Sequence, residues 1–377
     1  MRDLPNKQII AAMVITGLTV GGYRSWHSWH DGKALAGTGE GIAQIELIAT
    51  PDKDNWVRSQ VYLFNNENFK RYHITTKYMD SRAAMEAIIH GKEQPVIWSP
   101  DSPVWLTRAS EVMPASTPLV DVNDATSFCV FLRTPVVILT TRAKESFLRP
   151  LLSGPRPWQA VHDLAVGKMR APWGRLTYRH ADPLTSNSGM LALGMMLSEY
   201  MQTHSAQMPA AAVAQSPAFA DFLAETEKAL SFNEACKDGS AAVARQFAAD
   251  PASCDFIVTY ENLALAAVKK NPDLVAIYPR PTMVAEEALS VLNGAWVSPN
   301  QKEGAMEFMR FVSSAKARRD GLKYDMRPAT QDGTENLDPI LTANRSNGFQ
   351  SMIVQETTPP YDALNSAAVA WNSRVRR

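Results

Sequence analysis

No sign of charge predominates in these 377 residues: 38 Lys plus Arg stand against 38 Asp plus Glu. A chain built to hold a phosphate backbone normally carries a basic surplus, so composition argues against a nucleic-acid partner. Cysteine is scarce, three residues in all, too few for a disulfide-stapled scaffold. The seven histidines are scattered, and no Gly-x-Ser-x-Gly elbow, phosphate loop or His-Glu-x-x-His motif is present. Neither a low-complexity tract nor a solenoid-length repeat occurs. What is left is a globular composition, 45% hydrophobic with 24 prolines, in a chain long enough for two lobes with separate cores. No cofactor and no catalytic group are expected from it.

A full membrane span is also missing. The apolar run at residues 9–23 is short for one, yet residues 1–8 before it carry Arg2 and Lys7 against Asp3, the layout of an export signal. No small-x-small site closes the run, and Ala34-Leu35-Ala36 lies late for cleavage. A cleaved signal and an uncleaved anchor both stay open. Either places the bulk of the chain in the periplasm or another extracytoplasmic space, the anchor adding membrane contact through residues 9–23. His27-x-x-His30 has helical metal-ligand spacing but no further ligand nearby; beside Trp26 and Trp29 it better suits a membrane interface. In an exported chain Cys236 and Cys254 are free to pair, closing a loop worth about 3 kcal/mol, with two reduced thiols as the alternative. Cys129, within the apolar run Ser127-Phe128-Cys129-Val130-Phe131-Leu132, reads as an inert core thiol.

The most informative stretch is Asp182-Pro183-Leu184-Thr185-Ser186-Asn187-Ser188-Gly189. It joins a short strand expected at residues 175–180 to an apolar helix expected at 190–201. A turn of this kind leaves backbone N–H groups and short side-chain donors at a helix N-terminus, a receptor for an oxyanion or carboxylate. A helix cap accounts for one such residue, not for a run of small polar ones, so the pattern reads as a ligand turn.

Other segments converge on the same edge. Residues 45–50 read as a strand that passes through a polar turn into a helix, the first half of a β-α-β unit. Ligands of open α/β sheets sit at the carboxyl ends of strands, which makes Thr50, Asp52 and Lys53 candidates, a solvated turn being an equal reading of the last two. A strand at 72–77, a helix at 81–90 stopped by Gly91, and a buried strand at 95–98 follow. That last strand delivers Ser99, Asp101 and Ser102. Trp98 is expected nearer the mouth and Trp105 in the core. Residues 128–140 form an extended segment interrupted at Arg133-Thr134-Pro135, with Arg133 a snorkelling edge residue rather than an anion ligand. Helices are expected at 146–152, 157–164, 217–230 and 239–248. The strand at 254–259 ends in Tyr260 and Glu261, the latter read as a helix cap rather than a ligand for a cation. A return strand at 274–279 precedes an amphipathic helix at 303–318 with Met306, Met309, Val312 and Ala315 inward. A last helix lies near 362–375.

Asp182-Pro183 followed by Ser186-Asn187-Ser188-Gly189 resembles the DP…SNSG signature of bacterial extracellular solute-binding proteins, in the branch related to molybdate- and sulfate-binding proteins. Val96-Ile97-Trp98-Ser99-Pro100 through Trp105, Arg133-Thr134-Pro135-Val136-Val137-Ile138, Tyr260-Glu261-Asn262-Leu263 and Ala276-Ile277-Tyr278-Pro279 match in the same order, over residues 43–328. The resemblance implies an α/β, two-lobe periplasmic-binding-protein fold of type II, each lobe a mixed sheet flanked by helices around a central cleft. Its divisions fall at 1–41 (signal or anchor plus linker), 42–134 (lobe one), 135–275 (lobe two) and 276–377 (the rest of lobe one with a C-terminal helix). Hinges near Thr134 and Tyr278 would close the cleft. The ligand-binding candidates are Thr50, Ser99, Asp101 and Ser102 from lobe one, Thr134 at the crossover, and Ser186, Asn187, Ser188 and Tyr260 from lobe two. The implied ligand is a small anion, carboxylate or zwitterion, and the implied partners are membrane subunits of an ABC-type importer. A membrane-anchored sensor or assembly module that binds a protein is the alternative, favoured by an uncleaved anchor. A hydrolase is the third reading: His180, Asp182 and Ser186 share one turn, where they do not naturally form a relay.

Overall fold

Burial alternates along the first strand, β1 (Ala43–Ala49): Ile45, Leu47 and Ala49 are buried, Gln44 is exposed and Glu46 partly so. This period of two fixes which face meets the core. The computed structural model describes residues 41–113, 118–204, 207–329 and 338–376, and the expectations for residues 1–40 lie outside them. After β1, helix α1 (Asp54–Glu67) buries Trp56, Val57, Gln60, Val61 and Phe64, one face at helical spacing. Strand β2 (Tyr72–Tyr78) pairs parallel with β1, and helix α2 (Ser81–Ile89) follows. Two residues beyond α2, Gly91 adopts φ +68, the left-handed stop that a side chain would strain. Strand β3 (Ile97–Ser99) lies parallel to β1 on its other side. Helix α3 (Pro103–Val112) starts on Pro103, with Ser102 Oγ accepting from Val104 N at 3.3 Å.

Strand β4 (Phe128–Thr141) is 14 residues long and belongs to two sheets. It runs unbroken through Arg133-Thr134-Pro135, where an interruption was expected; its one register shift falls between Val130 and Leu132. Pro135, which has no N–H to donate, sits where the ladder changes partners.

Beyond β4 come α4 (Arg142–Leu152), α5 (Pro157–Ala165), the two-residue β5 (Tyr178–Arg179), α6 (Asn187–His204), α7 (Pro217–Thr226) and α8 (Ser240–Ala249). Strand β6 (Phe256–Tyr260) leads into α9 (Glu261–Lys270), and β7 (Leu274–Ile277) ends the excursion. The chain returns through Tyr278 to Met283 into β8 (Val284–Val291), then α10 (Pro299–Val312), β9 (Arg327–Pro328) and α11 (Tyr361–Arg374). The first sheet runs β2-β1-β3-β8-β4 with β9 on β4; the second is built on the other half of β4 with β6, β5 and β7. The fold is therefore two α/β lobes crossed by β4 and by the β7–β8 connection.

Each lobe has its own core. In the first, Trp56 stacks on Phe131 at 4.6 Å, with Phe64 and Phe308 packed edge to face at 5.2 Å. In the second, Val136, Ile138, Trp158, Phe219 and Phe256 are buried together. Fully burying one such aliphatic or aromatic side chain stabilises the fold by roughly 1.5–3 kcal/mol.

The structure corrects several expectations. The expected helix at 303–318 breaks at Ser313-Ser314: α10 ends at Val312, and Ser314 caps a short helix, Ala315–Asp320, by accepting from Ala317 N at 3.2 Å. Met309 and Val312 face inward as expected, whereas Ala315 is exposed. Cys236 and Cys254 are free thiols, and burial pushes Cys254 up to about 12. Arg133 pairs with Glu286 at 3.0 Å across the β4–β8 ladder. The C-terminal helix, expected on lobe one, packs mainly on lobe two. There Ala363, Ala367, Ala368 and Trp371 join the core, while Leu364 joins Trp98 and Trp105 of lobe one. Gly194 of α6 permits this approach, because a Cβ there would lie 2.9 Å from Leu364. Trp371 also donates to Glu227 Oε2 at 3.2 Å; Glu227 further accepts from Tyr178 OH at 2.8 Å and faces His180 Nε2 at 3.2 Å.

Trp371→Ala should therefore lower stability by about 3–5 kcal/mol in urea unfolding. Val369→Ala, on the same helix but 55% exposed, should change it by about 0.5 kcal/mol or less.

Candidate functional site

The turn before α6 is tied to itself. Asp182 Oδ1 accepts from Leu184 N at 2.9 Å and its carbonyl accepts from Ser186 N at 2.8 Å, an Asx-type turn. Gly189 is required by close approach: a Cβ there would stand 2.2 Å from the Ala181 carbonyl oxygen. Ser186 and Ser188 hydroxyls lie 3.1 Å apart, both buried. Asn187, at the start of α6, donates from Nδ2 to Tyr260 OH at 2.9 Å. Its Oδ1 accepts from Trp105 Nε1 of the other lobe at 2.8 Å.

Lobe one answers with charge. Thr50 Oγ1 donates a short hydrogen bond to Asp101. Lys53, wholly buried at its side chain, donates to Glu287 Oε2 at 2.5 Å, to Asp101 at 3.3 Å and to the Pro100 carbonyl at 3.1 Å. Two more polar contacts cross between lobes. Ser240 Oγ, at the start of α8, donates to the Asp52 carboxylate at 3.1 Å, and Asn262 Nδ2 donates to the Asp52 carbonyl at 3.1 Å. Thr134 Oγ1, on the crossing strand, donates to Asn262 Oδ1 at 3.1 Å. Asp80 lies against the same α8 terminus, with Oδ1 3.7 Å from where a Cβ of Gly239 would be. Alongside, a cavity of about 350 Å³ is lined by Asp52, Asn55, Arg245, Asn262, Lys323 and neighbouring residues of α1, α8 and α9.

Of the nine candidates, Thr50, Asp101, Thr134, Ser186, Asn187, Ser188 and Tyr260 gather around this seam. Two are committed elsewhere: Ser99 Oγ donates to the Ala288 carbonyl at 2.7 Å, and Ser102 caps α3. Trp98, expected nearer the mouth, is buried in the core; Trp105 is in the core as expected, and its indole N–H also reaches Asn187 at the seam. Lys53 is no solvated turn residue. Glu261 is neither cap nor open ligand: Arg327 contacts it at 2.5 and 2.8 Å and Tyr278 OH donates to it at 2.5 Å. His180 faces Glu227 and the Ala181 carbonyl, so it forms no relay with Ser186. Asp80, Glu287, Ser240 and Asn262 were missed. The first three carry no local signature, and Asn262 was visible only as the residue after Glu261.

Burial and crowded carboxylates set the protonation. Burial, then Asp101, Asp80 and Glu287, hold Asp52 well above the usual carboxylate range. Burial and Asp101 raise Asp80 from 3.8 to about 6. Burial lifts Glu287 from 4.5 to about 8 against the pull of Lys53. Tyr260 is raised too, by burial and by Asp101, Asp52 and Glu287. Among the described residues no group of His, Cys, Asp and Glu is arranged to hold a metal ion.

The sequence profile described as bacterial extracellular solute-binding protein matches residues 48–320. The chain belongs to that family. No curated protein matches it by sequence. Solved structures share the fold at low identity. The sulfate-binding protein SubI from Mycobacterium tuberculosis H37Rv is 16% identical at a TM-score of 0.57, over 88% of this chain and 97% of that one. The periplasmic binding protein AfuA from Actinobacillus pleuropneumoniae, with fructose-6-phosphate bound, is 12% identical at 0.60, over 88% and 98%. A putative spermidine/putrescine ABC transporter from Listeria monocytogenes is 14% identical at 0.61, over 89% and 99%. The family, SubI and AfuA are binding proteins by description.

Two outcomes follow. Gly189→Ala should destabilise the chain by about 2 kcal/mol or more in urea unfolding, because the clash is with backbone. Asp80 and Glu287 hold protons in the folded state that the unfolded chain has released. Stability should therefore fall as pH rises from 3.8 to about 6 for Asp80 and from 4.5 to about 8 for Glu287. Melting curves from pH 5 to 8.5 should show the decline, and Glu287→Gln should flatten it.

Proposed function

We propose that this solute-binding protein captures a small polar solute between its lobes and delivers it to the membrane subunits of an ABC-type importer. It acts outside the cytoplasm, with residues 9–23 as export signal or anchor. The observation that carries this reading is Asn187: one side chain of the family turn meets Tyr260 on its own lobe and Trp105 on the other. A group placed there senses whether the lobes are together. Thr50, Asp101, Thr134, Ser186, Asn187, Ser188 and Tyr260 are the proposed ligand-facing groups. The hydroxyls at the start of α6 suit a polar or anionic end of the solute. The turn resembles that of the molybdate- and sulfate-related branch, a likeness that would account for these donors and leave the charge of the whole solute to the rest of the seam.

The test is a panel of oxyanions, carboxylates, amino acids and amines, applied to the full-length chain in thermal melts and small-angle scattering. A bound solute should raise the melting temperature and change the scattering radius. Asn187→Ala should then weaken binding about tenfold, equivalent to about 1.4 kcal/mol. No shift with any compound overturns the receptor reading and favours the protein-binding alternative.

A further inference from the structure

The two sides of the seam are chemically unlike. Lobe one brings four carboxylates, Asp52, Asp80, Asp101 and Glu287, and a single ammonium, Lys53. Lobe two and the crossing strand bring neutral groups: Asn187, Tyr260, Ser240 and Asn262, with Thr134 and the serines of the turn. Lys53 serves Asp101 and Glu287. Among the described residues the Asp52 carboxylate receives the Ser240 hydroxyl, and Asp80 faces a helix terminus. Glu287, wholly buried, has one carboxylate oxygen that meets no donor among the described residues. Arg245 and Lys323 stand farther out, lining the adjoining cavity, and Lys323 is paired with Asp320 at 2.7 Å.

Removing several carboxylates from water against one cation is costly unless positive charge or protons make up the difference. In the empty chain the difference is met by protons, consistent with the raised Asp52, Asp80 and Glu287. We infer that the solute is an organic cation whose ammonium or guanidinium group seats among Asp52, Asp80 and Asp101, its polar remainder facing Asn187 and Tyr260. This rests on the receptor reading and narrows it. The cation supplies the charge the seam lacks, and the protons leave as it enters.

The experiment is titration calorimetry on the full-length chain at pH 7.5, with 1,4-diaminobutane, spermidine and arginine against sulfate and molybdate. At least one of the cations should bind at micromolar concentration, and its heat should change with the ionisation enthalpy of the buffer as protons are released. Asp80→Asn should weaken that binding at least tenfold. Asp52→Asn serves as the second variant should the first not fold, and Glu234→Gln, on an exposed side chain, should change nothing. Binding of sulfate or molybdate with the cations silent overturns the cation and leaves the receptor. Silence towards every compound overturns both. Cation binding indifferent to Asp80→Asn and Asp52→Asn overturns the assigned seat.

Discussion

A paired strand cannot turn aside without breaking its ladder, and β4 is paired along almost its whole length. Its first half is held by β8 and its second by β6 and β7. Each lobe is thus anchored on one end of a single stiff rod, and the carboxyl edges of both sheets are brought to the same seam. The switch of partners at Pro135 and Val136 places Thr134 and Tyr260 beside each other's lobes. The polar contacts that cross between the lobes depend on that placement. Were β4 to break at Pro135, Asn187 and Trp105 would have no reason to meet.

Much of this was legible in the chain. The strand–turn–helix order of lobe one, the apolar helix after the turn and the long extended segment all follow from period and punctuation. Asn187 and Tyr260 were findable because each sits where a strand or turn feeds a helix. The errors have a shared cause. Lys53 looks like a solvent residue, and only the fold reveals Glu287, 234 residues away, as its partner. Glu261 looks like a cap until Arg327 arrives from β9. The tail was assigned to lobe one by connectivity, but Gly194 and a run of alanines let it lie closer to lobe two. Long-range charge pairing and helix docking leave little local trace in sequence, whereas caps and periodicities leave a clear one.

The seam combines two kinds of polar contact. Uncharged bonds such as Trp105 to Asn187 fix geometry at modest net energy, about 1 kcal/mol each. The Lys53–Glu287–Asp101 group works differently: its partners hold one another in place, and removing one leaves a buried charge unmet. Geometry is therefore set mainly from lobe two and electrostatic character from lobe one. A receptor divided in this way can alter what it holds by changes in one lobe without disturbing the other.

The position of α11 makes it the clasp of the second lobe. Trp371 and its neighbouring alanines complete a core whose other residues lie between Val136 and Ala285, so a segment distant in sequence seals the second lobe. Without it Glu227 would lose one of its donors and the face of α6 around Gly194 would be bare. Detaching this helix would therefore open the second lobe while leaving the Trp56–Phe131 core of the first closed.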